Sequence, residues 1–338
     1  MEIKESSFYK GFKEISLKNK AGMELVLTSC GAGIKSVKLN GLELSLTPYD
    51  KDEYIKGFQG KMVGRVCGRI LNASYTQNGI KAELEKNNFD VDNIHGGSGC
   101  FRSREFSYMV VENNDYTDTI FSLFSPDGEA GFIGNVMVYI TYRFYENENK
   151  YQILIDGNTD TFSMLNMTNH IFLNLNGNCS EPVINHEIFI NSKARGVLNE
   201  RYVCVDKKYD PKFDFSKGMT LGKYINDSEV QNPTMGYDHP FFLENRGLEH
   251  LAAKAYSPKT GISCEVSTSY PCVVIYTDNQ ADTNMMVNET KHDEKYLGIC
   301  FECQYNPNSI HMSPNECGFF DLAHPYHEVI EFKYNKEQ

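Results

Sequence analysis

An all-β fold, sandwich or barrel, is what this 338-residue sequence predicts. Three observations carry that expectation. Short runs of β-branched and aromatic residues recur along the whole chain, Gly, Asn, Asp and Pro cluster between them, and stretches with the helical period are scarce.

The runs at Met23–Thr28, 106–111, 119–124, 136–144, 152–155, Glu187–Ile190, 273–277 and 329–334 read as strands. In each, β-branched and aromatic side chains alternate with polar ones or run together over a strand's length. Turn chemistry separates them, as in Ser125-Pro126-Asp127-Gly128 and Asn174-Leu175-Asn176-Gly177. Only 50–56 and 227–232 read as helical, a turn or two each. The Gly/Asn/acidic zone 76–99 reads as one long loop. There is no repeat, low-complexity tract or Pro/Ser-rich linker, and the last apolar strand, 328–334, lies almost at the C-terminus. The expectation is therefore one β domain over residues 1–338.

Composition narrows the function classes. Lys plus Arg number 33 against 45 Asp plus Glu, a net charge of −12. Nucleic acid is excluded as the main partner, since phosphate binding needs concentrated cationic side chains, and so is electrostatic docking on anionic lipid. No apolar run reaches the length of a membrane span, and the first residues lack the basic and apolar regions of a signal peptide. Ten scattered cysteines, mostly within apolar stretches, then read as reduced core thiols, and a cytoplasmic location is expected. Sequons such as Asn72-Ala73-Ser74 and Asn288-Glu289-Thr290 carry no weight without secretion. The aromatic content is unusual: 21 Tyr and 21 Phe, but no Trp.

Chemistry concentrates in a few segments. In Asn166-Met167-Thr168-Asn169-His170-Ile171-Phe172-Leu173-Asn174-Leu175, strand alternation puts Leu165, Met167, Ile171, Leu173 and Leu175 on one face with Asn169. Asn166, Thr168, His170, Phe172 and Asn174 share the other. That polar face either lines a cleft or meets solvent, and the segment alone does not choose. In Tyr296-Leu297-Gly298-Ile299-Cys300-Phe301-Glu302-Cys303-Gln304, Glu302 shares a face with Cys300 and Gln304 amid apolar residues. A carboxylate there is either exposed or held buried for use as a base with a raised pKa. The Cys300-Phe301-Glu302-Cys303 spacing is not a thiol pair, because strand positions i and i+3 point to opposite faces. Nor is it half of a zinc site, since no second such pair exists.

Three loops add to this. His95 precedes a glycine pair in Asn93-Ile94-His95-Gly96-Gly97, two arginines sit in Gly64-Arg65-Val66-Cys67-Gly68-Arg69-Ile70, and Asp238 and His239 share a turn in Gly236-Tyr237-Asp238-His239-Pro240. Each alone is an ordinary loop feature. Together, His, carboxylate and Arg supply the donors and acceptors that a neutral polyol needs. The chain lacks G-x-S-x-G, H-E-x-x-H and the dinucleotide fingerprint, which leaves acid–base work on a sugar.

These segments, in this order, resemble the galactose mutarotase (aldose 1-epimerase) family. The specific motifs are T-N-H-x-x-x-N-L around His170 and G-Y-D-H around Asp238, supported by E-x-Q-x-x-P at Glu302 and I-H-G-G at His95. The resemblance implies a β-supersandwich of large antiparallel sheets and a cofactor-free, metal-free interconversion of the α and β anomers of an aldose such as galactose or glucose. It implies that Glu302 is the base at the anomeric hydroxyl and His170 the acid at the ring oxygen, with Arg69, His95 and Asp238 holding the sugar. His170 is expected to be kept protonated at neutral pH by its carboxylate neighbour.

Two other classes compete: a non-catalytic sugar-binding module on the same fold, and a β-sandwich glycoside hydrolase or lyase using Asp238 and Glu302. Retention of His170 with Glu302 favours the epimerase. The sequence departs from the family at Gly68 (often Asn), at Val274 (often Gln) and over Cys100-Phe101-Arg102-Ser103-Arg104-Glu105-Phe106, where the usual Trp is absent. Any aromatic sugar platform must then be Phe or Tyr, with Phe172 a candidate. Sugar preference and the choice between monomer and homodimer are not legible in these residues.

Overall fold

The computed structural model describes residues 1–289, 291–313 and 316–337, so Thr290 of the second sequon lies outside it. Three antiparallel sheets organise the chain. The first is a meander of Glu2–Ser7, Lys13–Lys18, Met23–Thr28, Gly33–Leu39 and Leu42–Glu43. The second has nine strands in the order Ser107–Glu112, Tyr116–Ser125, Val136–Tyr145, Lys150–Thr159, Tyr326–Lys336, Ile262–Thr268, Ala253–Ser257, Glu187–Ile190 and Met219–Thr220. The third runs Cys204–Lys208, Ala194–Leu198, Asp238–Phe242, Cys272–Tyr276 and Cys300–Gln304. The all-β expectation holds, and the predicted strands fall within or across observed ones.

Alternation explains the layering. In Val136–Tyr145 the residues Val136, Val138, Ile140, Tyr142 and Phe144 are fully buried, while those between them are half-buried or exposed. The buried set joins one apolar cluster with Leu25, Leu27 and Val37 of the first sheet and Phe241, Val273 and Phe301 of the third. Each such side chain contributes about 1.5–3 kcal/mol by leaving water. That shared core holds the third sheet, which carries the site, against the other two.

The helices are short. Lys51–Lys56 starts at Asp50, whose carboxylate accepts the backbone N–H groups of Asp52 and Glu53, and Ser228–Gln231 is capped likewise by Asp227. Both lie where the sequence predicts. Among the described residues no helix is long and apolar enough to cross a membrane.

Three expectations need correction. Residues 76–99 are not one loop: Ser74–Gln77 and Ile80–Glu83 form a hairpin around Asn78 and Gly79, both at positive φ, and Asn93–Ile94 pairs with Arg69–Ile70. Asn-Gly is the preferred two-residue turn for strands of this twist, a signal present in the sequence. The 165–175 segment is not one long strand. Only Thr168–Asn169 is ladder-paired there, against Met62–Val63, and the rest is held by side-chain and bridge bonds. Asp238 and His239 open a strand rather than sit in a turn.

Candidate active site

The third sheet aligns its polar side chains by register. Glu302 pairs with Val274, and Tyr276 pairs with both Cys300 and Asp238. Asp238 thus lies one row beyond Glu302, about 7 Å along the strands at ~3.4 Å per residue. The rows form one wall of an open cleft of about 440 Å³, and all five residues expected at a site, Glu302, His170, Arg69, His95 and Asp238, line it.

His170 comes from the segment beside this sheet's edge strand. Its backbone N–H donates to the Lys61 carbonyl at 2.9 Å and its carbonyl accepts from the Gly60 N–H at 2.9 Å. Asn169, the lone polar residue on the apolar face, reinforces the tether: its amide donates to the Gly60 carbonyl at 2.8 Å and to Tyr142 Oη at 3.2 Å. Leu173 and Ile299 exchange backbone hydrogen bonds and bind this segment to the strand that bears Glu302. The result brings His170 Nε2 to 3.4 Å from Glu302 Oε1, with the residues only 7% and 4% exposed. On the other ring nitrogen, Nδ1 lies 3.4 Å from Cys300 Sγ.

Burial dominates the electrostatics of this pair. Desolvation, with repulsion from Asp238 second, raises Glu302 to about 8, against the pull of Arg69 and a 3.3 Å hydrogen bond from Gln304 Nε2. Desolvation lowers His170 to about 4. This overturns the expectation that the neighbouring carboxylate keeps His170 protonated: loss of hydration outweighs the charge partner. Both shifts favour the uncharged forms, a carboxylic acid beside a neutral imidazole.

His95 sits at φ 54, made possible by the turn through Gly96 and Gly97 that follows. A Cβ on Gly96 would meet the Gly64 carbonyl oxygen at 2.7 Å, so that approach requires glycine. The Gly68 N–H donates to His95 Nδ1 at 3.2 Å, while the His95 N–H donates to the Gly68 carbonyl. Burial, then the positive neighbours, holds His95 well below its ordinary pKa. A neutral ring accepting at Nδ1 must carry its proton on Nε2, so His95 is a fixed hydrogen-bond donor.

Arg69 Nη1 lies 3.5 Å from Asp238 Oδ2, and its guanidinium sits 5.2 Å from the Tyr202 ring centroid. The second arginine of that segment has a different fate. Arg65 is buried, donating to Ser125 Oγ and to the carbonyls of Ser125, Pro126 and Ile133. His239 also turns into the protein, its Nδ1 accepting the Asp238 N–H and its ring against Phe213. Cys300 and Cys303 are separate buried thiols, as strand geometry requires.

Phe172 lines the cleft but is 4% exposed and stacks on His170, centroids 5.1 Å apart and planes at 25°. The half-buried rings in the cleft are Phe58, Tyr202 and Tyr276, which sequence reasoning did not single out. Phe58 packs 4.9 Å from His95 and carries the Arg102 guanidinium 4.2 Å from its centroid. Arg102 belongs to the segment where the usual Trp is absent. Position near a motif favours Phe172 over Phe58 and Tyr202, which come from loops, and over Tyr276, which ends the strand Cys272–Tyr276.

Comparison with known proteins agrees with this geometry. The family model described as aldose 1-epimerase matches residues 13–318. The chain is 27% identical over 347 residues to the aldose 1-epimerase of Escherichia coli (strain K12), covering 96% of each. It is 28% identical over 263 residues to the galactose mutarotase of Homo sapiens, covering 74% of this chain and 71% of that one. The crystal structure of galactose 1-epimerase from Lactobacillus acidophilus NCFM superimposes with a TM-score of 0.88 at 24% identity over the full length of both chains, a likeness of fold.

Proposed function

The chain belongs to the aldose 1-epimerase family, and on that premise we propose that Glu302 and His170 carry the proton transfers while Arg69, His95 and Asp238 hold the sugar. The enzyme interconverts the α and β anomers of an aldose. We infer that galactose or glucose is such a substrate, that residues 1–338 act as one domain, and that the protein works in the cytoplasm on a free, uncharged sugar. The observation that supports this most is the 3.4 Å approach of His170 Nε2 to Glu302 Oε1, both buried in the cleft.

Ring opening needs a proton removed at the anomeric oxygen and another delivered at the ring oxygen. The pair shares one proton, so two arrangements of equal charge exist: carboxylate with imidazolium, or carboxylic acid with neutral imidazole. The first opens the ring. Glu302 takes the O1 proton, the O–H electrons form the C1 carbonyl, and the C1–O5 electrons stay on O5, which takes the proton from His170 Nε2. That leaves the second arrangement, which closes the ring after rotation about C1–C2 by the reverse transfers. The empty cleft rests in the second, and sugar hydroxyls with Arg69 favour the carboxylate as substrate binds.

Polarimetry of freshly dissolved α-D-galactose and α-D-glucose tests the reading. Wild type should accelerate mutarotation over buffer, and Glu302→Gln should lose about 10²–10⁴-fold in kcat. Full activity in Glu302→Gln would remove its role as base.

A further inference from the structure

His170 is held so that only its two nitrogens can be varied. Phe172 stacks on one face at 5.1 Å, while Phe58 and Tyr276 crowd it at centroid distances of 5.8 and 6.0 Å. Cys300 and Glu302, two residues apart on one strand face, take one nitrogen each. Nδ1 is 3.4 Å from Cys300 Sγ and Nε2 is 3.4 Å from Glu302 Oε1. The imidazole therefore lies along the strand, bridging positions i and i+2. Cys300 is fully buried beside its register partner Tyr276, and burial pushes its thiol well up, so it remains a neutral S–H.

We propose that Cys300 is a positioning residue whose sulfur accepts the Nδ1–H of His170 and holds the imidazole in the tautomer that leaves Nε2 free to exchange a proton. The proposal rests on His170 being the proton carrier assigned above. Its chemical basis is a count of protons. A neutral imidazole has one N–H. With that proton on Nδ1, the bare Nε2 takes the proton of Glu302, becomes imidazolium, and gives it to the ring oxygen. With the proton on Nε2 instead, delivering it would leave an imidazolate in a buried site.

His95 provides the contrast within the same cleft. A backbone N–H, which can only donate, faces its Nδ1 and forces the opposite tautomer. A sulfur facing Nδ1 can accept, and at 3.4 Å it is the side chain set against that nitrogen. A neutral thiol is also a weak acceptor. It orients the ring as the third group of a nucleophile–base–orienter relay does, without the charge by which a carboxylate would stabilise the imidazolium. The Nε2–H of His170 is thereby left strongly acidic, which suits protonation of a weakly basic ether oxygen.

The test reads the tautomer directly. Nitrogen NMR of the full-length protein labelled at histidine, with the His170 signals assigned by their loss in His170→Gln, should show Nδ1 protonated and Nε2 bare in the resting enzyme at neutral pH. His95 should show the reverse. Cys300→Ala should mix the His170 tautomers and lower kcat for α-D-galactose by about 10–100-fold, the range for a lost orienting partner, with KM changed less than about threefold. Cys300→Ser, whose hydroxyl oxygen accepts, should restore the Nδ1–H tautomer and most of kcat. Finding Nε2–H in the wild-type His170, or an unchanged tautomer and kcat in Cys300→Ala, overturns the proposal. The wild-type spectrum decides even if the alanine variant does not fold. Because it needs no turnover, it is independent of the catalytic reading, which fails instead if His170→Gln retains full mutarotation.

Discussion

Two strands of this protein follow the same rule and arrive at opposite ends. Val136–Tyr145, in the nine-stranded sheet, buries Val138, Ile140 and Tyr142 and turns Met137, Tyr139 and Thr141 outward. Cys300–Gln304, at the edge of the third sheet, buries Phe301 and Cys303 into the same core, but its other face is buried as well and carries Cys300, Glu302 and Gln304. On the first strand the outer face, with Met137, Tyr139 and Thr141, stays half-buried or exposed and carries no buried charge. On the second it is desolvated, and Glu302 stands at about 8 as a consequence. The difference between a structural and a functional strand here lies in what covers the second face.

Truncating one inward group on each strand should separate the two roles most widely. Ile140→Ala removes buried apolar volume and should cost about 2–5 kcal/mol of stability in denaturant titration, with kcat per folded molecule unchanged. Glu302→Gln should abolish most turnover yet stabilise the empty protein. The sign follows from linkage: the folded pKa of Glu302 lies above the unfolded one, so folding favours its protonated form and wild-type stability falls as pH rises from about 4.5 to about 8. The glutamine variant lacks that loss, so its advantage in melting temperature should grow across this window. A glutamine variant that is less stable than wild type at pH 8 would contradict the buried-acid account.

The same pair sets an activity window of moderate size. It holds two protons below about 4, one between about 4 and about 8, and none above. Only the one-proton state can both take and give a proton, so kcat/KM should be flat between those limits and fall tenfold per pH unit outside them. Repulsion from Asp238 is the second cause of the raised Glu302 value. Asp238→Asn should therefore move the alkaline limb to lower pH, measured by polarimetry across a buffer series. An alkaline limb that stays in place would mean that desolvation alone sets it.

The sequence exposed the first kind of strand far better than the second kind of environment. Alternation places Val136–Tyr145 within a residue, because one buried face leaves a period of two. It also assigned Glu302 and Cys300 to one face. It did not say that this face is covered, since the cover includes Cys67 against Gln304 and His170 against Cys300 and Glu302, far away in the chain. That is why the expected direction of the His170 pKa differs from the one the structure supports. A charge partner is visible in a motif, while desolvation belongs to the tertiary structure. Strand geometry keeps Cys300 and Cys303 apart, as the sequence predicts, while the contact of Cys300 with His170 arises only in the tertiary structure. The hairpin at Asn78-Gly79 carries its signal in the dipeptide, but the surrounding composition is that of a loop.

The smallest effect concerns a departure from the family pattern. Gly68 stands at φ +71, and a Cβ there would meet Pro307 Cβ at 2.6 Å and Cγ at 2.7 Å. Asparagine tolerates the left-handed region better than other side chains, so backbone strain is not the main obstacle to Gly68→Asn. The contact with Pro307 is, and overpacking of this kind costs about 1–3 kcal/mol. Any shift of Gly68 also moves His95, which it holds through both its N–H and its carbonyl. Gly68→Asn should therefore lower stability modestly and raise KM a few-fold, with a smaller change in kcat, if His95 holds the sugar as proposed and does not carry the transferred proton. Pro307→Gly, which removes both contacting atoms, should relieve the crowding, so the double variant should be more stable than the two single losses predict. Strict additivity in that cycle would put the cost at the left-handed backbone instead, and would mean that glycine is needed here for conformation rather than for room.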